Sequence, residues 1–515
     1  MTVSHIAPIA PVSIGLINDY QHVRPAGPTP AAAAAPVAST PASPAPPVSP
    51  GATSATTLAA ASTTYAHPGL DPVTMAQRAA RGRIAENTPD VMPQGVIEKG
   101  APSYFRTYEQ MKTALYDLQT KYPTLVKVTD IGDSYEKTKG KADRDILALT
   151  ITNSAVTGPK AKVEEIAGVH AREIANPEML MTWATQLLDG FGRDPEATAL
   201  LNTREINLIP MVNPDGHAFI ERAYAGKPDG DMMKRKNASG VSGEGTDVNR
   251  NFGFHWGGPG ASSSPGNETY RGATAASEPE TQAVQEFTKN LKANVFTDWH
   301  SYSKLDMYPW GDTKVKAPDY VGLKAVAEKM ATMNHYSPMQ SVALYPTTGT
   351  TDDNAYGAYG IPSWAVETGD SFHQDDKEYA QTLAENLPVL QYEAKIASNP
   401  YDLVQGPDAT DVLVDPQTHV VSARVTDATS GNNSIAGAEL LLDPNAAAGS
   451  GTPLLASDGK FNTATETVTG NITLPASATA QDGQLVYVHA KDIKGNWGPL
   501  TAQWLVGPKD QADHS

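Results

Sequence analysis

Residues 164–173, EEIAGVHARE, climb through apolar side chains and stop on His170 and Glu173, with two residues between them. The apolar run suits a buried strand, and the carboxyl end of a strand is where an α/β sheet keeps its chemistry. Alone, His-x-x-Glu is weak. With 12 histidines in the chain the spacing arises readily, and a strand-end histidine is more often a hydrogen-bonded structural residue. The surroundings decide the fold. "NPEMLMTWATQLLDG" follows at once and reads as a helix, with Asn176 as N-cap, Pro177 at the first position and Gly190 beyond the end. "DILALTIT" before it and "EINLIPMV" after it read as strands, and "TYEQMKTALYDLQTKYP" as a helix that stops before Pro123. Further on, the helix "EPETQAVQEFTKNL" runs into the strand "NVFTDW", and "IPSWAVE" reads as a late buried strand. This alternation predicts an α/β fold: a mixed, mostly parallel sheet with helices on both faces and a site at the strand ends.

The chain is longer, at 515 residues, than one hydrophobic core usually organises. Ala, Pro, Ser and Thr dominate from Arg24 to about Thr64, a composition that buries too little apolar surface to offset chain entropy. Residues 1–64 are therefore expected to be a disordered tail, 65–101 a linker or short prosegment-like stretch, and 102–400 the α/β domain. After about Asn399 helical periodicity gives way to alternating strands, "HVVSARVTD", "AGAELLLD" and "GQLVYVHAKD", which predict a small all-β sandwich over 401–508 and a tail over 509–515. The closing "HAKDIKGNWG" resembles the last hairpin of bacterial immunoglobulin-like modules. Such a domain suits carbohydrate binding, docking of a partner, or plain cover for the first domain.

A formal net charge of −18 disfavours nucleic acid and anionic lipid as partners. No run of about 18 apolar residues offers a membrane span. The absence of cysteine removes disulfides, thiol nucleophiles and thiolate ligands, so any metal must sit on His, Asp and Glu. Neither a G-x-S-x-G elbow nor a G-x-x-x-x-G-K-[ST] phosphate loop occurs. The first 23 residues lack the pattern of a conventional secretory signal, and secretion or export by another route is the expectation.

His300, in "VFTDWHSYS", also closes an apolar strand, which lets it meet His170 and Glu173 at one sheet edge. Two imidazoles and one carboxylate leave a fourth zinc position open, as a catalytic site requires and a structural one does not. At these residues the sequence resembles the zinc carboxypeptidases of the carboxypeptidase A and B family. The resemblance spans roughly residues 102–400 and includes "NPDG" at 213–216, "DVNRNF" at 247–252, "TYRG" at 269–272, "HSYS" at 300–303 and "VETG" at 366–369.

The resemblance implies one zinc ion per chain on His170, Glu173 and His300, and peptide or protein C-termini as substrate. It implies that Asn249 and Arg250 grip the terminal carboxylate, Arg250 through a planar fork that a lysine does not reproduce. Asp247 is implied to accept a hydrogen bond from His170, and Glu367 to be the general base. Tyr345 resembles the tyrosine that closes over bound peptide, with the threonines and glycine after it expected to free its loop. Arg235, in "MMKRKNAS", is the choice for polarising the scissile carbonyl, with Lys234 and Lys236 as alternatives. Arg172 and Tyr302 resemble residues of the next subsite. Asp352, in a stretch read as a loop fifteen residues before Glu367, falls where the family sets the floor of its specificity pocket, and an Asp there implies basic C-terminal residues.

Four functions compete: a zinc carboxypeptidase acting on peptide C-termini, a carboxypeptidase or endopeptidase trimming peptidoglycan peptides, a deacylase of acyl amino acids, and a silent peptide-binding module that keeps the fold. Asn249, Arg250, Tyr345 and Glu367 are all present, which favours the first.

Overall fold

The computed structural model describes residues 100–240, 243–415, 417–472 and 483–507. The expectations for 1–64, for 65–99 and for the terminal tail lie outside these residues.

An eight-stranded mixed sheet forms the centre of the first domain. Its strands are β1 (Val126–Asp133), β2 (Asp145–Ile151), β3 (Ala161–Ala167), β4 (Arg204–Ile209), β5 (Val295–Ser301), β6 (Leu305–Tyr308), β7 (Ser337–Gln340) and β8 (Ser363–Thr368), in the order β1-β2-β4-β3-β5-β8-β6-β7. The four strands β4, β3, β5 and β8 run parallel, which aligns their carboxyl ends. β5 and β8 are buried along their whole length, as strands covered on both faces must be. Alternate side chains feed two cores. Val163, Trp299, Trp364 and Val366 pack with Met179, Trp183, Val326 and Leu390 of the helices on one face. Ile166, Phe296 and Ile209 pack with Val284 and Ala355 of helices on the other.

Two local expectations are corrected. Asn176 does not cap its helix: the helix spans Ala175–Gly190, and the Asn176 side chain is buried and accepts a hydrogen bond from Thr368 Oγ1 at 2.7 Å. A long-range partner in the core has taken the amide that a cap would have used. The stretch around Asp352, read as a loop, is the helix Thr351–Tyr359, which ends where Gly360 adopts φ +71°.

The second domain is all antiparallel. Its strands are β9 (Asp408–Val414), β10 (Val420–Thr426), β11 (Ile435–Leu441), β12 (Thr452–Ala456), β13 (Thr465–Asn471), β14 (Gln484–Asp492) and β15 (Thr501–Val506), in the order β15-β14-β11-β12-β13-β10-β9. The sheet curls like a barrel until its edges meet: Thr501 Oγ1 and Gln503 Nε2 of β15 donate to Ala409 O and Val412 O of β9, each at 2.8 Å. It lies directly against the first domain. Lys329, in the helix Tyr320–Asn334, is 3% exposed and donates to Asp408 Oδ2, to Thr429 Oγ1 at 2.7 Å and to Ser430 Oγ at 2.9 Å. Glu196 Oε1 accepts from Ala502 N at 2.6 Å, and Trp504 Nε1 donates to Arg193 O at 2.8 Å.

Candidate active site

β3 ends at Ala167, and the chain then turns sharply at Gly168, whose φ is +67°. A Cβ at Gly168 would lie 3.1 Å from Pro210 O, so the turn needs glycine on both counts. The turn delivers His170 and Glu173 to the carboxyl edge of the sheet, where β5 brings His300. His170 Nδ1 is 2.7 Å from Glu173 Oε1, His300 Nδ1 is 2.9 Å from Glu173 Oε2, and the two Nδ1 atoms are 3.1 Å apart. All three side chains are buried.

The outer nitrogens explain the inward aim of Nδ1. His300 Nε2 lies 2.7 Å from Asp298 Oδ2, which also accepts from Thr351 Oγ1 at 2.5 Å. His170 Nε2 lies 3.4 Å from Asp247 Oδ1, a long contact. With a metal bound, carboxylates on the far side of each ring would favour the tautomer that keeps the proton on Nε2 and offers the Nδ1 lone pair to the metal. Burial raises the Glu173 carboxyl, but His170 and His300 outweigh it and hold the group well below the usual range. Two imidazole nitrogens and an ionised carboxylate oxygen converging in a buried site form a donor set that fits zinc. Among the described residues the other cluster of possible ligands, Asp130, Asp133 and Asp145, is all carboxylate and includes two exposed members.

Arg235 is the basic residue that reaches this centre. Its Nη2 and Nε bond Asp247 Oδ2 at 2.9 and 3.1 Å, and its Nη1 lies 3.3 Å from His170 Nδ1. Lys234 Nζ instead donates to Gly243 O, and Lys236 Nζ to Pro265 O and Asn267 O. Asn249 is committed to the scaffold, with Nδ2 3.1 Å from His300 Nε2 and Oδ1 accepting from Thr351 N at 2.9 Å.

A cleft beside the three-donor group is lined by Asn249, Arg250, Tyr345, Asp352 and Glu367, together with Met307, Leu344 and Ala365. Glu367 is the register partner of His300 across the parallel pair β5 and β8. Arg250 donates from Nε to Gly260 O at 3.0 Å and from Nη1 to Asn249 O at 2.7 Å, while its buried Nη2 has no hydrogen-bond partner among the described residues. Its guanidinium carbon lies 5.9 Å from the centre of the half-buried Tyr345 ring. Asp352 is buried in the first turn of its helix and accepts from Ser341 Oγ at 3.4 Å; burial raises its carboxyl.

The segment after Tyr345 corrects an expectation. Its threonines and glycine do not loosen the loop: Thr347 N donates to Gly311 O at 2.8 Å, Thr348 Oγ1 to Pro259 O at 3.1 Å, and Gly349 O accepts from Phe252 N at 3.0 Å. Small and hydroxylated residues serve here for close packing and anchoring.

Arg172 and Tyr302 stand apart from the cleft lining. Arg172 lies over the Phe372 ring at 4.2 Å, and Tyr302 meets the same ring edge-on at 4.9 Å. Phe372 escaped the sequence reading, as did Asp298. For Asp298 a signal existed: it sits two residues before His300, on the same face of β5.

Residues 111–388, more than half of the chain, match the family described as zinc carboxypeptidase. This chain belongs to that family. Carboxypeptidase A2 of Rattus norvegicus is 33% identical over 279 residues, 52% of this chain and 63% of the relative. Carboxypeptidase A1 of Bos taurus is 34% identical over 230 residues, 44% of this chain and 51% of the relative. The chain thus spans less than two thirds of these relatives' length. Among solved structures, thrombin activatable fibrinolysis inhibitor superposes with a TM-score of 0.52 at 26% identity, covering 64% of this chain and 80% of that one.

Proposed function

We propose that the protein is a zinc-dependent carboxypeptidase that hydrolyses the last peptide bond of peptides or proteins. One observation carries this reading: Glu367, Arg250, His170 and His300 line one cleft, and Glu173 joins the two histidines in one donor group, so a carboxylate base, a cationic grip and a metal site face a common space. Bound on His170, Glu173 and His300, zinc supplies Lewis acidity to water and to the scissile carbonyl.

The chain's own groups do the rest. Arg250, whose Nη2 is left without a partner among the described residues, binds the substrate's terminal carboxylate through a charge-assisted hydrogen bond, with Asn249 beside it in the cleft wall. Arg235, held against Asp247, stabilises charge developing on the carbonyl oxygen. Glu367 takes the proton from attacking water and passes it to the leaving amine. Tyr345 covers the bound residue and limits water. Arg172 and Tyr302, grouped on Phe372, border the residues that precede the scissile bond. The combination of Arg250 and Glu367 favours this reading over peptidoglycan trimming and over a silent binding module.

Asp352 gives the reading its preference. A substrate Lys or Arg would bring a cation to this buried carboxylate, an attraction of about 4 kcal/mol at about 4 Å and an effective dielectric of about 20, before desolvation is subtracted. Met307, Leu344 and Ala365 around it suit the aliphatic stem of such a residue. Export is part of the same proposal. No helix among the described residues is long and apolar enough to cross a membrane, and cell fractionation tests where the protein resides.

Incubation of the zinc-loaded protein with a peptide library, followed by mass spectrometry, tests the reaction. Ladders shortened one residue at a time from the C-terminus are expected. Internal cleavage, or no cleavage with tight peptide binding, would overturn it.

A further inference from the structure

The turn Gly257–Gly260, "GGPG", touches Arg250, the proposed carboxylate grip, and the segment that directly follows Tyr345, the proposed cover. On one side, Gly260 O accepts the Arg250 Nε hydrogen bond at 3.0 Å, which fixes the rotation of the guanidinium in the cleft that Arg250 lines. On the other, the turn presses on the chain just after Tyr345. A Cβ on Gly260 would lie 1.7 Å from Pro346 O and 3.1 Å from the Thr347 backbone. Gly260 also holds φ +76°, where an L side chain is strained. Thr348 Oγ1 ties the same segment to Pro259 O at 3.1 Å, and a Cβ on Gly258 would meet the Thr348 methyl at 2.8 Å.

The turn is braced from behind. Arg271 Nη1 donates to Gly257 O at 2.6 Å, and the Arg271 guanidinium lies 4.7 Å from the centre of the Trp256 ring, whose Nε1 returns a hydrogen bond to Arg271 O at 2.9 Å. A turn held this firmly is a fixed reference for what rests on it.

We propose that Gly260 is a positioning residue: its carbonyl orients Arg250 while its bare Cα seats Pro346, so one turn registers the carboxylate grip against the covering tyrosine. The inference rests on the roles given to Arg250 and Tyr345 above.

The test is a double-mutant cycle in the full, zinc-loaded chain. Gly260→Ala forces Pro346 or the turn to move, and kcat/KM on a C-terminally free peptide is expected to fall about tenfold or more, mainly through KM, at unchanged zinc content. In a Tyr345→Phe background the same substitution is expected to cost about fivefold less, because the tyrosine it misplaces has lost its hydroxyl already. A merely structural defect would be additive. Should Gly260→Ala fail to fold, Thr348→Val, which removes the Pro259 bond and keeps the methyl against Gly258, is expected to show the same coupling with a smaller fall.

Additivity within about twofold in both cycles would overturn the inference while leaving the function in place. If Tyr345→Phe and Arg250→Ala each left kcat/KM unchanged, the functional reading would fall first and this inference with it.

Discussion

Glu367 and His300 are register partners on adjacent parallel strands, so the proposed base and one proposed metal ligand are fixed to each other by backbone hydrogen bonds rather than by loops. Strands β5 and β8 are buried throughout, which leaves the pair little freedom to drift.

A rigid base should fail cleanly when its charge is removed. Glu367→Gln is expected to retain zinc and peptide binding and to lose about 10² to 10⁴ in kcat. Wild-type turnover in this variant, with elemental analysis confirming the metal, would place the base elsewhere.

His300 should behave differently, because it holds the metal. His300→Ala is expected to lose zinc and activity together, as three-donor sites seldom survive with two. Asp298→Asn, which keeps the ligands and alters the group shared by His300 Nε2 and Thr351 Oγ1, is expected to weaken zinc affinity by about 10- to 100-fold. Competition with a chelator of known affinity measures both, and unchanged affinity in His300→Ala would sink the assignment.

Much of this site was legible in the chain. His170, Glu173 and His300 stand out as polar residues closing apolar strands, while Arg250, Glu367, Arg235, Asn249 and Asp352 come from the family resemblance, and the structure brings all eight to one region. The misses share one physical cause. Asn176 was expected as a cap, but Thr368, far along the chain, holds its side chain. The threonines after Tyr345 were expected to loosen it, but Gly311 and Pro259 secure them. Propensity describes what a residue does by itself, and these residues are governed by partners that only the folded chain brings near.

The specificity pocket gives a third expectation. Arg- and Lys-terminated peptides should be cleaved with higher kcat/KM than Phe- or Leu-terminated ones, and Asp352→Ala should narrow or reverse the ratio by about tenfold or more, the equivalent of about 1.4 kcal/mol. Equal or better cleavage of Phe-terminated peptides by the unmodified protein would refute the basic pocket and leave the rest standing.

Stability should fall with rising pH. Burial pushes the carboxyls of Glu164, Glu280 and Asp306 each up to about 8 from ordinary values of 4.5, 4.5 and 3.8. The folded chain therefore keeps protons that the unfolded chain has released above about pH 4.5, and each group's stabilisation is lost progressively until pH passes its folded value near 8. Melting temperature is expected to drop from pH 5 to about pH 8.5. Glu164→Gln, an uncharged near-isostere that still can accept from Thr288, should flatten the slope. A slope unchanged by this substitution would show that Glu164 does not titrate in that window.

Lys329 should matter to both domains. Replacing it with methionine strands Asp408 and the hydroxyls of Thr429 and Ser430, and a loss of about 3 kcal/mol in unfolding free energy is expected. Denaturant titration, followed by tryptophan fluorescence, measures it. A loss near zero would mean that the remaining contacts, Glu196 and Trp504 among them, hold the domains together without Lys329.

The docking of Lys329, Glu196 and Trp504 also limits what the curled β-sheet is able to do for the enzyme. A module on a flexible linker sweeps out a volume, and anything it captures is offered to the catalytic partner at a raised effective concentration that depends on linker length. Here three anchors replace the tether. The second domain adds no reach, and whatever it touches is held at one fixed distance and angle from the cleft.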